Sequence, residues 1–431
     1  MGDSTSGVAH LLAGVREWCR TDLKVSSVEE AEQLAVAISR QVGEAVMAEG
    51  VKQVSGKASY EGCSVSCGCG KRAKFKGYRS RWVVTLCGSV QVERAYYYCG
   101  HCHRGQSPWD QRQGLSRQAC TFGVKLLVSS FVGRLSYGES VELLELSTGL
   151  RLVESVAEQI VDGVGQRLRE LWARDRQGVL EEGVWPLVPR APARLYVGLD
   201  GTHAHIDGSW HEVKTGVIYE AEADAEGLDE AVGCEYVAAQ ESASEFGERV
   251  YCAAALRGVE QAQEVVVIGD GADWIWKVAA HHYPGATQIV DYWHACEHIW
   301  DLRRALYPAE SKAGDRWARE HCERLRTQGP EPLLRALDRA KPDHEEAAAV
   351  VATEQGYFRK HRRRMAYPSF RARGLMIGSG PVEAACKVVV GQRLKRAGMR
   401  WSRKGADAVL AIRCALLNQQ SRYLQEASKV A

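Results

Sequence analysis

Arg194-Leu-Tyr-Val-Gly-Leu-Asp-Gly-Thr-His-Ala-His-Ile206 and Val265-Val-Val-Ile-Gly-Asp-Gly-Ala-Asp273 are the stretches on which the reading of the fold turns. Each is a short apolar run that ends in Asp-Gly, the pattern of a buried strand delivering a carboxylate, Asp200 or Asp270, at its tip. A third acid, Glu383, opens a helical pattern in Ile377-Gly-Ser-Gly-Pro-Val-Glu-Ala-Ala-Cys-Lys387. It is the only carboxylate between Arg359 and Ala406, a span holding 14 Lys or Arg residues. Holding a divalent metal against a phosphate gives such an acid a purpose. Either aspartate alone reads equally well as a turn residue.

Around these stretches the chain alternates in character. Residues 1–58 read as helical, with Ser27 as N-cap and apolar positions at helical spacing. Residues 59–112 are rich in Gly, Cys and basic residues and contain two strand-like runs, from Arg81 and from Val90. Residues 113–190 return to helix, with a break at Thr148-Gly149, and end in the Pro-rich linker Val184-Trp-Pro-Leu-Val-Pro-Arg-Ala-Pro192. The segment from Tyr137 to about Arg169 reads as helix, turn, helix; it suits groove reading or ordinary packing. Residues 191–298 give three meander strands and then alternating helix and strand. Residues 299–370 are helical, and 371–431 carry the Glu383 helix. Asp273 reads as the N-cap of the helix that follows it. Glu297 is the runner-up for third acid, and the acids from Glu220 to Glu230 read as a solvated turn.

At 431 residues, with 45% hydrophobic and 26% charged residues, the chain has the composition of a globular protein of several domains. The net charge of +2 hides segregation. From Asp200 to Glu248 there are 13 acids and one base, Lys214, while the last third is basic. Such a chain can present a basic face to nucleic acid without an extreme pI. No apolar run is long enough to span a bilayer, and the N-terminus lacks a secretory pattern, so no membrane partner is expected and a cytoplasmic location is.

Six of the 14 cysteines fall between Cys63 and Cys102. Cys67-Gly-Cys69 and Cys99-Gly-His-Cys102 form two chelating corners around a hairpin-length spacer, the arrangement of a zinc ribbon holding structural Zn²⁺. The first corner is one residue shorter than the usual Cys-x-x-Cys, which leaves Cys63 as a substitute ligand, with His101 and His103 behind it. Lys71 and Arg72 stand in a basic, aromatic surface suited to DNA phosphates. A second basic run, Arg393, Lys395, Arg396, Arg400, Trp401 and Arg403, follows Glu383. Its bases suit a phosphate cradle, and Trp401 suits either a core position or stacking on an exposed base.

Leu-Asp-Gly-Thr at Asp200, Gly-Asp-Gly-Ala-Asp-Trp-Ile-Trp at Asp270, Asp291-Tyr-Trp-His294, the Glu383 block and Lys395-Arg-Ala-Gly-Met-Arg-Trp401 together resemble the signature blocks of bacterial insertion-sequence transposases of the ISKra type. These are Mutator-like enzymes with an Asp-Asp-Glu site, and the resemblance covers about residues 60–420. It implies an α/β, ribonuclease H-like mixed sheet with an all-helical insertion, to which the helical region and the zinc ribbon read from the sequence add an N-terminal part. It implies that Asp200, Asp270 and Glu383 bind Mg²⁺ or Mn²⁺, two ions in number. It places Asp291 and His294 near the scissile DNA strand. The expected partners are the terminal inverted repeats of the element, target DNA, and a second copy of the chain to bring the ends together, in the nucleoid of a bacterial cytoplasm. A nuclease without strand transfer and a non-catalytic DNA-binding descendant are the alternatives.

Overall fold

The computed structural model describes residues 4–115, 118–183, 188–223 and 229–430. Residues 184–187 of the Pro-rich linker and 224–228 of the acidic turn lie outside the described residues. The chain divides into two compact units, Met1–Val124 with Leu146–Leu150, and Lys125–Glu145 with Arg151–Ala431.

In the first unit, helices Ser4–Thr21 and Val28–Val54 precede a four-stranded antiparallel sheet. Ser27 caps the second helix by accepting the Glu30 N–H. The strands are β1 (Ser64–Ser66), β2 (Arg72–Thr85), β3 (Gly88–Tyr98) and β4 (Gly105–Gln106), in that order across the sheet. The core is small. Val65, Ala73, Ala95, Tyr97 and Cys99 fill one end, while Val83, Val90, Val92, Trp109 and Leu115 fill the other against Met47, Ala48 and Val51. Trp109 donates its indole N–H to the Val54 carbonyl at 2.6 Å, tying the helix to the sheet module.

The second unit is built on five strands, β5 (Arg194–Ile206), β6 (Ser209–Ala223), β7 (Asp229–Ala239), β8 (Glu264–Gly269) and β9 (Thr287–Val290), in the order β7-β6-β5-β8-β9. Three antiparallel strands come first. Asp207 and Gly208 both have positive φ, 49° and 82°, as the two-residue turn between β5 and β6 requires. Two strands then add in parallel, Leu199 opposite Gly269 and Gly269 opposite Val290. Residues 195–199 of β5 are buried without alternation, as expected for a central strand covered on both faces.

Helix Ala243–Leu256, opened by a Ser242–Glu245 capping box, packs on β6 and β7. Helix Arg403–Leu417 also packs on β7, and it crosses helix Glu154–Leu180 so closely that a Cβ at Gly165 would lie 2.4 Å from Ala408 Cα. The Glu154–Leu180 helix therefore spends Ala157, Ile160, Val161, Val164, Leu168 and Leu171 on packing, and the helix-turn-helix segment owes its second helix to this contact. Between β9 and Gly380 the described structure is a series of helices joined by loops, and its buried residues, from Ile299 to Phe370, are continuous with the sheet core. Asp273 is not an N-cap: Ala272 holds that position, and the exposed Asp273 pairs with Lys360 instead. Among the described residues no helix is long and apolar enough to cross a membrane.

Candidate functional site

The parallel strands β5, β8 and β9 point the same way, so residues after their registers end gather at one edge, where open α/β sheets bind ligands. Asp270 follows β8 and Asp291 follows β9, while Asp200 sits one residue past the end of the β5–β8 pairing. Asp200 is not at a strand tip, as the apolar run suggested. Strand β5 continues six residues further, paired to β6, so Asp200 is held within a strand, opposite Thr215, rather than on a loop.

Asp200 Oδ1 accepts the Gly201 N–H at 2.7 Å and Oδ2 accepts the Cys386 thiol at 3.2 Å. Burial raises its carboxyl above the ordinary range and the Asp270 carboxylate adds to this, while those two hydrogen bonds and His294 act the other way. Asp270 accepts the Ala272 N–H at 2.9 Å, and its carbonyl receives the Tyr357 hydroxyl at 3.0 Å. Gly271 must be glycine here: φ is +112°, and a Cβ would meet the Tyr357 ring at 2.8 Å.

Asp291 is buried, and both its oxygens are committed. One caps the Tyr292–Leu306 helix through the His294 N–H at 2.6 Å, and the other accepts the Ser379 N–H. Expected near DNA, Asp291 instead fastens the Gly-Ser-Gly loop to the strand end. His294 is half-exposed, 3.2 Å from Glu297. Its neighbour Trp293, two residues from Asp291, is 68% exposed, and a Cβ at Gly378 would touch its ring at 3.3 Å.

Glu383 lies in helix Gly380–Ala385, which continues into a π-helical turn at Cys386–Gly391, a form frequent at functional sites. The helix crosses β5 at Gly198, where a Cβ would come 3.0 Å from Val382. Cys386 reaches Asp200. Glu383, one turn earlier, is exposed, and no hydrogen bond or ion pair holds its carboxylate among the described residues. Two groups of described residues bring three or more ligand atoms within 4.8 Å of one another, and the Asp200, Asp270 and Glu383 trio is not one of them. A pair of ions about 4 Å apart would spread its donors more widely than one ion does.

The basic run divides. Lys395 is exposed and donates to Thr202 Oγ1, two residues from Asp200. Arg400 and Arg403 are exposed, Arg403 reaching the Gln240 carbonyl at 3.1 Å. Arg396 is engaged by Glu139 in a two-bond fork at 2.6 and 2.7 Å. Arg393, expected in the phosphate cradle, is interior instead, and Trp401 takes the core position of its two readings. The Arg393 guanidinium lies 4.7 Å over the Trp401 ring and bonds the Val132 carbonyl at 2.8 Å, and burial brings its pKa down to about 10. The Trp401 indole donates to the Leu394 carbonyl at 3.1 Å. Spacing in a basic run does not reveal which member turns inward.

Cys67, Cys69, Cys99 and Cys102 form the first of the two ligand groups. The Cys67–Cys102 and Cys69–Cys99 sulfurs are 3.5 and 3.7 Å apart, against about 3.8 Å for thiolates around a tetrahedral Zn²⁺ with bonds of about 2.3 Å. The short first corner closes through a tight turn in which Gly70, φ +81°, donates its N–H to the Cys67 carbonyl. Cys63 is exposed and outside the group, and His103 bonds Tyr98. The backbone N–H groups of Cys102 and His101 bring the Cys99 thiol down to about 6, while Cys102, despite the Arg104 N–H, is pushed up to about 12 by burial and the neighbouring sulfurs. The cluster can therefore hold a metal such as zinc. Lys71 and Arg72 stand exposed beside it, Arg72 bonded to Ser64.

Fold and site thus define a mixed α/β protein with two sheets, an acidic strand edge and a four-cysteine cluster able to hold a metal. Residues 68–429 match the family described as "Uncharacterised protein family (UPF0236)", and the chain belongs to it. No curated protein matches the chain.

Proposed function

We propose that the protein is a DNA transposase, similar to those of ISKra-type insertion sequences, with a ribonuclease H-like catalytic domain formed by residues 191–298 and 371–431 around a helical insertion at 299–370. The observation that carries the reading is that Asp200 and Asp270 each come directly after the last register pair of two adjacent parallel strands, Leu199 opposite Gly269, while Cys386, one turn past Glu383, lies on the Asp200 carboxylate. Three antiparallel strands followed by two parallel ones, with the acids on the first and after the fourth, also suit it.

The donors at the strand edge are carboxylate oxygens, which suit Mg²⁺ or Mn²⁺. Asp200 and Asp270 would hold the metal and Glu383 would complete the site. When bound, the metal supplies an acidified water or 3′-hydroxyl and charge for the leaving oxygen. Lys395, Arg400 and Arg403 contact backbone phosphates, giving binding that weakens with salt. Exposed Trp293 offers a face to an unpaired base. The zinc ribbon, with Lys71 and Arg72, grips the element ends, and a second copy of the chain holds the other end. The work is done in the cytoplasm, on the nucleoid.

The test is cleavage and joining of labelled duplex carrying the inverted repeats that flank the gene, with Mg²⁺ or Mn²⁺, for wild type and Asp200→Asn. Specific end cleavage with joined products, lost in the variant, establishes the proposal. Cleavage without joining makes the protein a nuclease, and specific binding without products leaves a DNA-binding relic.

A further inference from the structure

The second ligand group lies behind the acidic edge and belongs to no role described above. His298 and Asp301 stand three residues apart on one face of helix Tyr292–Leu306, and Glu354 comes from helix Glu345–Lys360. One nitrogen and two carboxylate oxygens from these residues all lie within 4.8 Å of one another. His298 Nδ1 is 2.7 Å from Glu354 Oε2.

Burial is graded across the group. Glu354 is only 8% exposed, the His298 side chain 23% and the Asp301 side chain 46%, so the cluster is closed toward the core and open toward solvent. The imidazole is already oriented: it stacks on Tyr357 at 3.9 Å and 24°, with the His294 ring edge-on at 4.9 Å. A charged pair needs His298 and Glu354 alone. It leaves Asp301 as a second carboxylate beside a nearly buried one, paired among the described residues with Arg304, whose side chain is 62% exposed. A cation answers both acids at once.

We propose that His298, Asp301 and Glu354 form a binding site for a divalent cation of the zinc type, which pins the Glu345–Lys360 helix to the Tyr292–Leu306 helix. One imidazole and two carboxylates are a donor set for such ions, with water entering from the open side as fourth ligand. Donors around a tetrahedral ion with bonds of about 2 Å stand about 3.3 Å apart, so small side-chain rotations close the group. The consequence reaches the strand edge. Tyr357, stacked on the ligand histidine, is the residue whose hydroxyl holds the Asp270 carbonyl and whose ring bounds Gly271. The site is thus a brace behind Asp270, separate from the acids and from the cysteine cluster, and it stands whether or not the protein is a transposase.

The test is Zn²⁺ binding to the full chain, counted by elemental mass spectrometry after gel filtration. Wild type should retain two equivalents per chain, and a Cys69→Ser/Cys99→Ser variant one. His298→Ala should lose one equivalent while keeping the thiolate charge-transfer band of its Co²⁺ form. Asp301→Asn changes a side chain at the open side, so it keeps the fold; it should weaken the second equivalent at least about tenfold. Asp200→Asn should leave both equivalents in place. Unchanged retention in His298→Ala and Asp301→Asn, or loss of the second equivalent in Asp200→Asn, overturns the proposal and leaves an ordinary ion pair.

Discussion

The cysteine cluster and the acidic strand edge are both sets of potential metal ligands, and the chain assembles them in opposite ways. The cysteines come from two corners joined by one hairpin, their sulfurs drawn together within a module whose local core is five residues. The acids Asp200 and Asp270 lie 70 residues apart and are brought to one edge by the sheet, with Glu383 exposed one turn before the Cys386 that reaches Asp200, and the three are not drawn into one ligand group although the surrounding core is large. A small core gains most from a metal when one is bound. A large core can hold like charges near one another at a cost in stability, which leaves the charge available for a ligand.

The largest effect should break the first half of that contrast. With Cys99→Ser, or with metal removed by a chelator, hydrogen-exchange protection should be lost across residues 64–106 and kept across 194–290. Binding energies of order 10 kcal/mol are typical of small zinc modules, far more than the local core supplies. Full protection of β2 and β3 without metal would mean that the cluster is only a set of packed thiols.

The strand edge should respond in reverse. Asp200→Asn should lower metal-dependent DNA cleavage at least about 1000-fold. In metal-free buffer the same variant should gain roughly 1–3 °C in Tm, because it removes a charge that burial and Asp270 disfavour. A variant that is both inactive and less stable would make Asp200 a structural residue.

The two tryptophans sharpen the difference between site and core. Trp401→Ala, at a position 7% exposed with its indole bonded and a guanidinium over its ring, should cost about 3–5 kcal/mol of stability, seen in denaturant titrations. Trp293→Ala should leave Tm within a degree, yet weaken binding of single-stranded DNA about tenfold. If Trp293→Ala destabilises and leaves binding alone, the ring covers the Gly378 loop rather than a base.

Which parts of this were legible in the sequence follows from distance along the chain. Strands such as Glu264–Gly269 and the helix Asp273–His282 are written in local period and composition, and they stand at the residues the pattern gives. The cysteine corners are equally local. Asp273 misled because an acid before a helix is the commonest cap, while here Ala272 takes the position and Lys360, from a distant helix, takes the carboxylate. The basic run misleads at Arg393 and leaves Trp401 open between core and surface, because such a run carries no information about which face turns inward; Tyr137 and Val132, more than 250 residues earlier, decide it. Tyr357 was invisible for the same reason, as its partner Asp270 is 87 residues away. Cys386 had a signal, three residues after Glu383 on the same helix, and reading it as part of the acid site needed only the helical period.

The smallest effect concerns another carboxylate of the same sheet. Glu235 on β7 is pushed up to about 7 by burial, against the opposing pull of Arg257 and a hydrogen bond from Gln420 at 3.2 Å. Its ordinary value is 4.5, so the folded chain binds this proton more tightly than the unfolded chain does. The stability it contributes is therefore complete below about pH 4.5 and is lost as pH rises toward 7. Glu235→Gln removes the titration. The variant and wild type should melt together near pH 5, and the variant should melt about 2–4 °C higher at pH 8, equivalent to about 1 kcal/mol once solvent screening of a half-buried group is allowed for. A difference that stays constant from pH 5 to 8 would assign the effect to packing. Asp200 and Glu235 both carry burial as the leading cause of their shift, but only Asp200 has a second acid facing it, so added Mg²⁺ should raise the wild-type Tm by way of Asp200 and leave the Glu235 difference unchanged.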